Sequence, residues 1–106
     1  MRRFYKLHPG WLSPRRLKWR YGIYPQTLAT LKAKQGGLCA ICKEALATCV
    51  DHDHKCCPGK TSCGKCIRGL VCGPCNKALG FMRDRPERLH AAADYLETNS
   101  VNSINT

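Results

Sequence analysis

Acidic residues are scarce. Seven Asp and Glu face 18 Lys and Arg, a formal net charge of +11, and none of the seven precedes Glu44. Long apolar runs are absent: no stretch approaches the roughly 18 residues of a membrane span, so a membrane partner is not expected. The start of the chain is basic but has no apolar run behind it, unlike a secretory signal. The expected compartment is therefore the reducing cytoplasm, where paired cysteines are more often metal ligands than disulfides. Aromatic residues are few, at 8% of 106 residues. A chain of this length makes one small domain with a modest core, and such cores commonly need a staple. What the sequence has in excess is cysteine, nine in all, an odd number that fits a fully paired disulfide framework poorly.

Ten of the 18 basic residues lie before Glu44. The segment Pro14-Arg15-Arg16-Leu17-Lys18-Trp19-Arg20-Tyr21 interleaves cations with aromatic rings. Cations neutralise phosphates and rings stack on bases, so Arg15, Arg16, Lys18 and Arg20 are candidate DNA contacts. A basic tail that aids only solubility is the plainer alternative. Pro9, Gly10 and Pro14 interrupt the apolar stripe that a membrane-surface helix needs. Trp11 and Trp19 suit packing as well as stacking, and His8 and His90 have no supporting neighbours.

Three units are expected: a basic arm over 1–22 with a short helical piece at 14–21, a domain over 23–98, and a disordered polar tail over 99–106. Pro25 suits the first position of a helix over 25–35, with Ile23 stapled onto Leu28 and Gly36-Gly37 as the stop. Residues 48–52 and 67–71 read as strands flanking a long hairpin loop. Helices follow over about 75–82 and 85–98, the last with Asp84-Arg85-Pro86-Glu87 resembling a capping box. Leu89, Ala92, Ala93 and Leu96 recur there at helical spacing.

Cys39-x-x-Cys42 and Cys72-x-x-Cys75 are two knuckles, each able to present two thiolates to one tetrahedral ion. Together they suit Zn2+ with no open position for substrate, which makes the expected site structural. Between them lies Val50-Asp51-His52-Asp53-His54, and Asn76 follows the last cysteine directly. Strand alternation sends Asp51 and Asp53 one way and His52 and His54 the other. Asp and Asn offer hard oxygen ligands suited to Mg2+, and histidine takes a proton from water near neutral pH. Oxygen ligands beside an imidazole base in a basic protein describe phosphodiester hydrolysis. Singly, Asp51 suits a turn, His52 or His54 a zinc site, and Asn76 a helix cap. Together, in this order, they point to catalysis. Arg68 on the second strand suits a phosphate contact or simple cover of the sheet.

These motifs, with Arg68-Gly69-Leu70-Val71-Cys72, Leu79-Gly80 and the preceding Gln35-Gly36-Gly37, resemble the recombination endonuclease VII family of His-Asn-His (HNH, ββα-metal) nucleases over about residues 21–97. The resemblance implies a small zinc-stabilised α+β fold of the ββα-metal type with flanking helices. It implies that Asp51 and Asn76 bind the catalytic Mg2+ or another divalent ion and that His52 is the general base. It places His54 as an auxiliary histidine near the scissile phosphate. The products would carry a 5′-phosphate and a 3′-hydroxyl, with DNA as the partner of a monomer or homodimer.

Two departures stand out. The loop 56–66 adds Cys56, Cys57, Cys63 and Cys66. They suit a second zinc site, with Cys49 a substitute for one of the adjacent pair, or nested disulfides Cys56–Cys66 and Cys57–Cys63, or free thiols. The chain also stops short of the long C-terminal extension of the junction-resolving member. A DNA nickase or endonuclease of weak sequence preference is thus expected ahead of a junction resolvase or a non-catalytic zinc-dependent DNA-binding module.

Overall fold

The computed structural model describes residues 13–99. His8, Trp11 and the expected tail from residue 100 onward lie outside the described residues. Helix α1 (Pro14–Tyr21) starts at Ser13, whose hydroxyl accepts the Arg16 N–H at 3.4 Å, and has Pro14 at its first position. It ends at Gly22, left-handed at φ 70°. Glycine is required there: a Cβ would come within 2.7 Å of the Cys63 and Gly64 backbone. The helical piece expected at 14–21 is present, and its Leu17 is fully buried. Leu17 shares one core with Ile23, Leu28, Ala47, Val50 and Leu70. The basic segment therefore contributes to the fold as well as to the charge.

Helix α2 (Pro25–Lys34) follows Tyr24, its N-cap. Ile23 and Leu28 are both buried in the same cluster, as a staple across the helix start requires. Gly36 and Gly37, at φ 63° and 78°, turn the chain out of the helix, and the Gly37 N–H donates to the Lys32 carbonyl at 2.9 Å. The Gln35 side chain then ties this end to the sheet. Its Nε2 donates to the Leu38 and Leu70 carbonyls at 2.8 Å, and its Oε1 accepts the Leu70 N–H at 3.0 Å.

Strands β1 (Cys49–His52) and β2 (Ile67–Val71) pair antiparallel. Val50, Leu70 and Val71 are buried apolar side chains on this pair. Helix α3 (Gly73–Phe81) follows directly, completing a ββα order. A second cluster of Cys39, Val71 and Cys72 gathers Cys42, Cys49 and Cys75 around it. The fold is thus α+β, with four helices and one two-stranded sheet among the described residues.

The chain divides into two units, the first ending at Asn76 and the second starting at Lys77. The second holds the rest of α3 and helix α4 (Pro86–Thr98). The expected capping box does not form. Arg85 is the N-cap and makes no side-chain cap bond. Arg83 and Asp84 instead occupy the left-handed region, at φ 57° and 54°, to turn the chain between the helices. Glu87 lies beside Arg85 at 3.7 Å. Among the described residues no helix is long and apolar enough to cross a membrane.

Candidate active site and cysteine clusters

Cys39, Cys42, Cys72 and Cys75 converge so that their sulfurs all lie within 4.8 Å of one another. Cys42 and Cys72 Sγ are 4.0 Å apart. Thiolates about 2.3 Å from a zinc ion stand roughly 3.8 Å apart at the corners of a tetrahedron, so the cluster is the right size for one. The Ile41 N–H donates to Cys39 Sγ at 3.3 Å. Burial opposes ionisation of Cys39, but the N–H groups of Cys42, Cys72 and Ile41 outweigh it and bring the thiol down to about 6. Cys75 goes the other way, pushed up to about 12 first by its bond to Cys72 and then by burial. One thiol is thus eased towards the thiolate and another, bonded to Cys72, is held back from it. Four thiols at this spacing could hold a cation.

Cys56, Cys57, Cys63 and Cys66 form a second cluster of the same size, again within 4.8 Å. Cys56 Sγ lies 3.9 Å from both Cys57 and Cys63 Sγ, and the nested disulfides Cys56–Cys66 and Cys57–Cys63 are not formed. All nine cysteines are free thiols. The adjacent pair is accommodated by a turn: the Asp53 carbonyl accepts the N–H of both Cys56 and Cys57, at 3.1 and 3.2 Å. The Cys63 N–H donates to Cys57 Sγ at 3.3 Å, and the Lys65 N–H to Cys63 Sγ at 3.4 Å. Lys65 stands two residues past Cys63, as Ile41 does past Cys39, so both knuckles use the same backbone turn. Cys63 is brought down to about 7, first by the Lys65 N–H. Bonds to Cys66, Cys63 and Cys57 push Cys56 up to about 12. Cys49 joins neither group and packs beside Cys39, Val71 and Cys72. Both four-thiol groups could hold zinc.

Between the clusters, the strand register slips. Asp51 faces Gly69 but His52 faces Ile67, leaving Arg68 as an extra residue. In an unbroken ladder Arg68 would pair with His52, on the face opposite Asp51. The bulge re-aims it. Arg68 Nε donates to Asp51 Oδ2 at 2.7 Å and Nη2 to Oδ1 at 2.9 Å, a two-pronged ion pair. Asp51 is 7% exposed, and the fork holds its carboxylate in one orientation. A carboxylate offers about four acceptor sites, so two remain for another ligand.

His52 is also buried, at 4% exposure. Its Nε2 lies 3.0 Å from the Cys57 carbonyl oxygen. A carbonyl only accepts, so Nε2 carries the hydrogen. In the neutral ring Nδ1 is then the atom with the free lone pair. His54 lies against His52, ring centroids 4.4 Å apart; β1 ends at His52, so His54 reaches it from the turn that follows and not from the strand face expected. Asn76 is exposed on the first turn of α3, and its N–H donates to the Cys72 carbonyl at 3.0 Å. Direct contact thus joins Asp51 with Arg68 and His52 with His54. Asn76 belongs to neither pair.

Of the basic candidates, Arg15, Arg16 and Lys18 are exposed on α1. Arg16, Trp19 and Arg20, with Lys60 and Thr61, line a cleft of about 210 Å³. Trp19 is 75% exposed, and Arg20 Nε is buried with no hydrogen-bond partner.

Sequence reasoning had no role for Gln35 beyond its place in a motif, and none for Asp53. Asp53 organises the loop: its carboxylate accepts the Lys55 N–H at 2.9 Å, and its own N–H donates to the Cys66 carbonyl at 2.9 Å. An Asp two residues before an N–H it can bond is a recognisable turn signal. The Cys57 carbonyl, by contrast, carries no signal in residue type.

No curated protein and no solved structure matches the chain. A model of the family described as recombination endonuclease VII matches residues 14–98. That span runs from the first residue of α1 to the last of α4 and takes in both cysteine clusters, the Asp51–His52 strand and Asn76. The chain belongs to the recombination endonuclease VII family.

Proposed function

We propose that this family member is a metal-dependent DNA endonuclease of the HNH type, nicking or cutting duplex DNA with weak sequence preference. Residues 23–98 form its nuclease domain, and the basic segment 1–22 adds phosphate contacts. The observation that carries the reading is the state of His52: a buried imidazole with Nε2 engaged by a carbonyl and Nδ1 left as the base. The residue before it on β1, Asp51, carries a carboxylate that is oriented but not saturated.

In this reading His52 Nδ1 takes a proton from the water that attacks phosphorus, and His54 lies against it near the scissile phosphate. Asp51, held by Arg68, and Asn76, carried on the turn that follows Cys75, offer oxygens to a divalent ion such as Mg2+. When bound, that ion supplies positive charge for the phosphate and the leaving 3′ oxygen. The Cys39, Cys42, Cys72 and Cys75 thiolates hold a structural zinc, which fixes Asn76 one residue beyond its last ligand. Exposed Arg15, Arg16 and Lys18, with the Trp19, Arg20 and Lys60 cleft, offer the substrate cations and a ring face.

The direct test is cleavage of supercoiled plasmid in Mg2+, without it, and with EDTA. Nicked or linear product that depends on the divalent ion is expected. No cleavage with any divalent ion would overturn the reading in favour of a DNA-binding module. Because Asn76 is exposed, Asn76→Ala leaves the core intact. It should raise the Mg2+ needed for half-maximal cleavage at least about tenfold, the usual loss for even an outer-shell partner. Zinc content should not change, and loss of zinc would show that the two metal sites are not separate.

Each phosphate contact contributes about 0.9 to the slope of log K against log salt. Replacing Arg15, Arg16 and Lys18 together by Ala should flatten that slope by up to about 2.7 and weaken binding on all sequences alike. A fluorescence titration across salt concentrations reads this directly. An unchanged slope would make that face of α1 a solvated surface.

A further inference from the structure

The loop 56–66 is short of anything apolar to hold it. Its only buried residue is Ser62, while Cys56, Pro58, Gly59, Lys60, Thr61 and Cys63 are exposed. Yet it carries the one acceptor that engages His52 Nε2, the carbonyl of Cys57. Cys57 is also a member of the outer four-thiol cluster. The group that orients the base and a thiol of the cluster thus belong to the same residue.

We infer that Cys56, Cys57, Cys63 and Cys66 bind a second zinc ion, and that this ion positions the general base by holding the Cys57 carbonyl against His52. The inference rests on the assignment of His52 as base. Three observations carry it. The four sulfurs match a zinc tetrahedron in spacing, and the N–H groups of Cys63 and Lys65 already support two of them. The same loop is tied to the fold at its other side, where the Ser62 N–H donates to the Arg20 carbonyl at 2.7 Å and Gly64 abuts Gly22. An ion joining Cys57 to Cys63 and Cys66 would therefore couple the His52 contact to an anchored segment. Finally, at the β1 end of the loop the Asp53 carbonyl accepts the Cys57 N–H at 3.2 Å, so this turn and the ion would hold the Cys57 residue from its backbone and its side chain.

Cys57 is a positioning residue, since it acts through His52. Partners of this kind outside the reacting groups are commonly worth about 10- to 100-fold in activity. The two clusters divide the work: Cys75 leads into Asn76, and Cys57 holds His52.

The test uses the full chain and three readouts: zinc per chain by native mass spectrometry, the 15N signals of the His52 ring, and kcat and KM for plasmid cleavage. Wild type should hold two zinc ions and show a hydrogen-bearing Nε2. Cys66→Ser should hold one zinc, lose the fixed Nε2–H signature, and fall about 10- to 100-fold in kcat with little change in KM. Cys66→His, which restores a zinc ligand, should recover the second ion, the signature and most of kcat. If Cys66→Ser does not fold, the same comparison is made on wild type titrated with a zinc-selective chelator. The exposed outer ion should leave before the inner one, whose Cys39 and Cys72 are buried. Full kcat and an unaltered ring signal at one zinc per chain would overturn the inference, as would a wild-type count of one. A ring signal that follows zinc loss in a protein that never cleaves DNA would leave the positioning intact and reject His52 as the base.

Discussion

His52→Ala should lose about 10² to 10⁴ in cleavage rate while still binding DNA, the usual range for removing a general base. The expectation follows from the ring's surroundings. Its Nε2 is committed to the Cys57 carbonyl, so Nδ1 is the only ring atom free to take a proton. No neighbouring side chain can replace it. Asp51 is engaged by Arg68 through both oxygens, and His54, though in ring contact, is exposed and stands in the turn beyond β1. His52→Gln is the informative companion, since its amide can still donate to the Cys57 carbonyl but cannot act as a base. It should fold like wild type and remain inactive. Plasmid cleavage in Mg2+, alongside a gel-shift assay, separates the two effects. Full activity in either variant would remove His52 from the chemistry.

Cys39→Ser is expected to unfold the protein rather than slow it. Structural zinc in small domains contributes on the order of 10–16 kcal/mol of apparent binding free energy, against roughly 5–15 kcal/mol for the whole stability of a typical domain. The apolar core cannot make up the difference. Among the described residues its largest fully buried side chains are Leu17, Leu28, Leu70 and Cys39 itself. Cys39 is also a thiol that its backbone N–H neighbours bring down to about 6, which favours the thiolate a cation needs. Serine offers no comparable anion. The variant should show coil-like circular dichroism and no inner zinc. A native-like spectrum would mean that the two-stranded sheet and α2 hold without the ion.

Much of the molecule is legible from spacing alone. The strand at Ile67–Val71 and the helix stop at Gly36-Gly37 are where the sequence puts them, because a strand partner across a turn-rich loop and a glycine pair are signals that act over a few residues. The four inner cysteines meet because each knuckle is a local turn that aims two sulfurs the same way. The capping box at Asp84 fails for an equally local reason. The chain needs left-handed residues there to turn between helices, and that takes Asp84 out of the cap position.

The order of ligands, the Asp51–His52 pair and the excess positive charge are properties of residue type and separation, and the sequence by itself determined them. What the tertiary structure decided depends on register and on backbone atoms. A one-residue bulge, invisible in composition, turns Arg68 from cover for the sheet into the clamp on Asp51. Closure of the loop settles which thiols group together and leaves Cys49 out. Leu17 becomes core only because α1 lies against residues far along the chain. His52 finds its acceptor in a carbonyl, a group that every residue carries, so only the folded path of the loop could single out the one at Cys57.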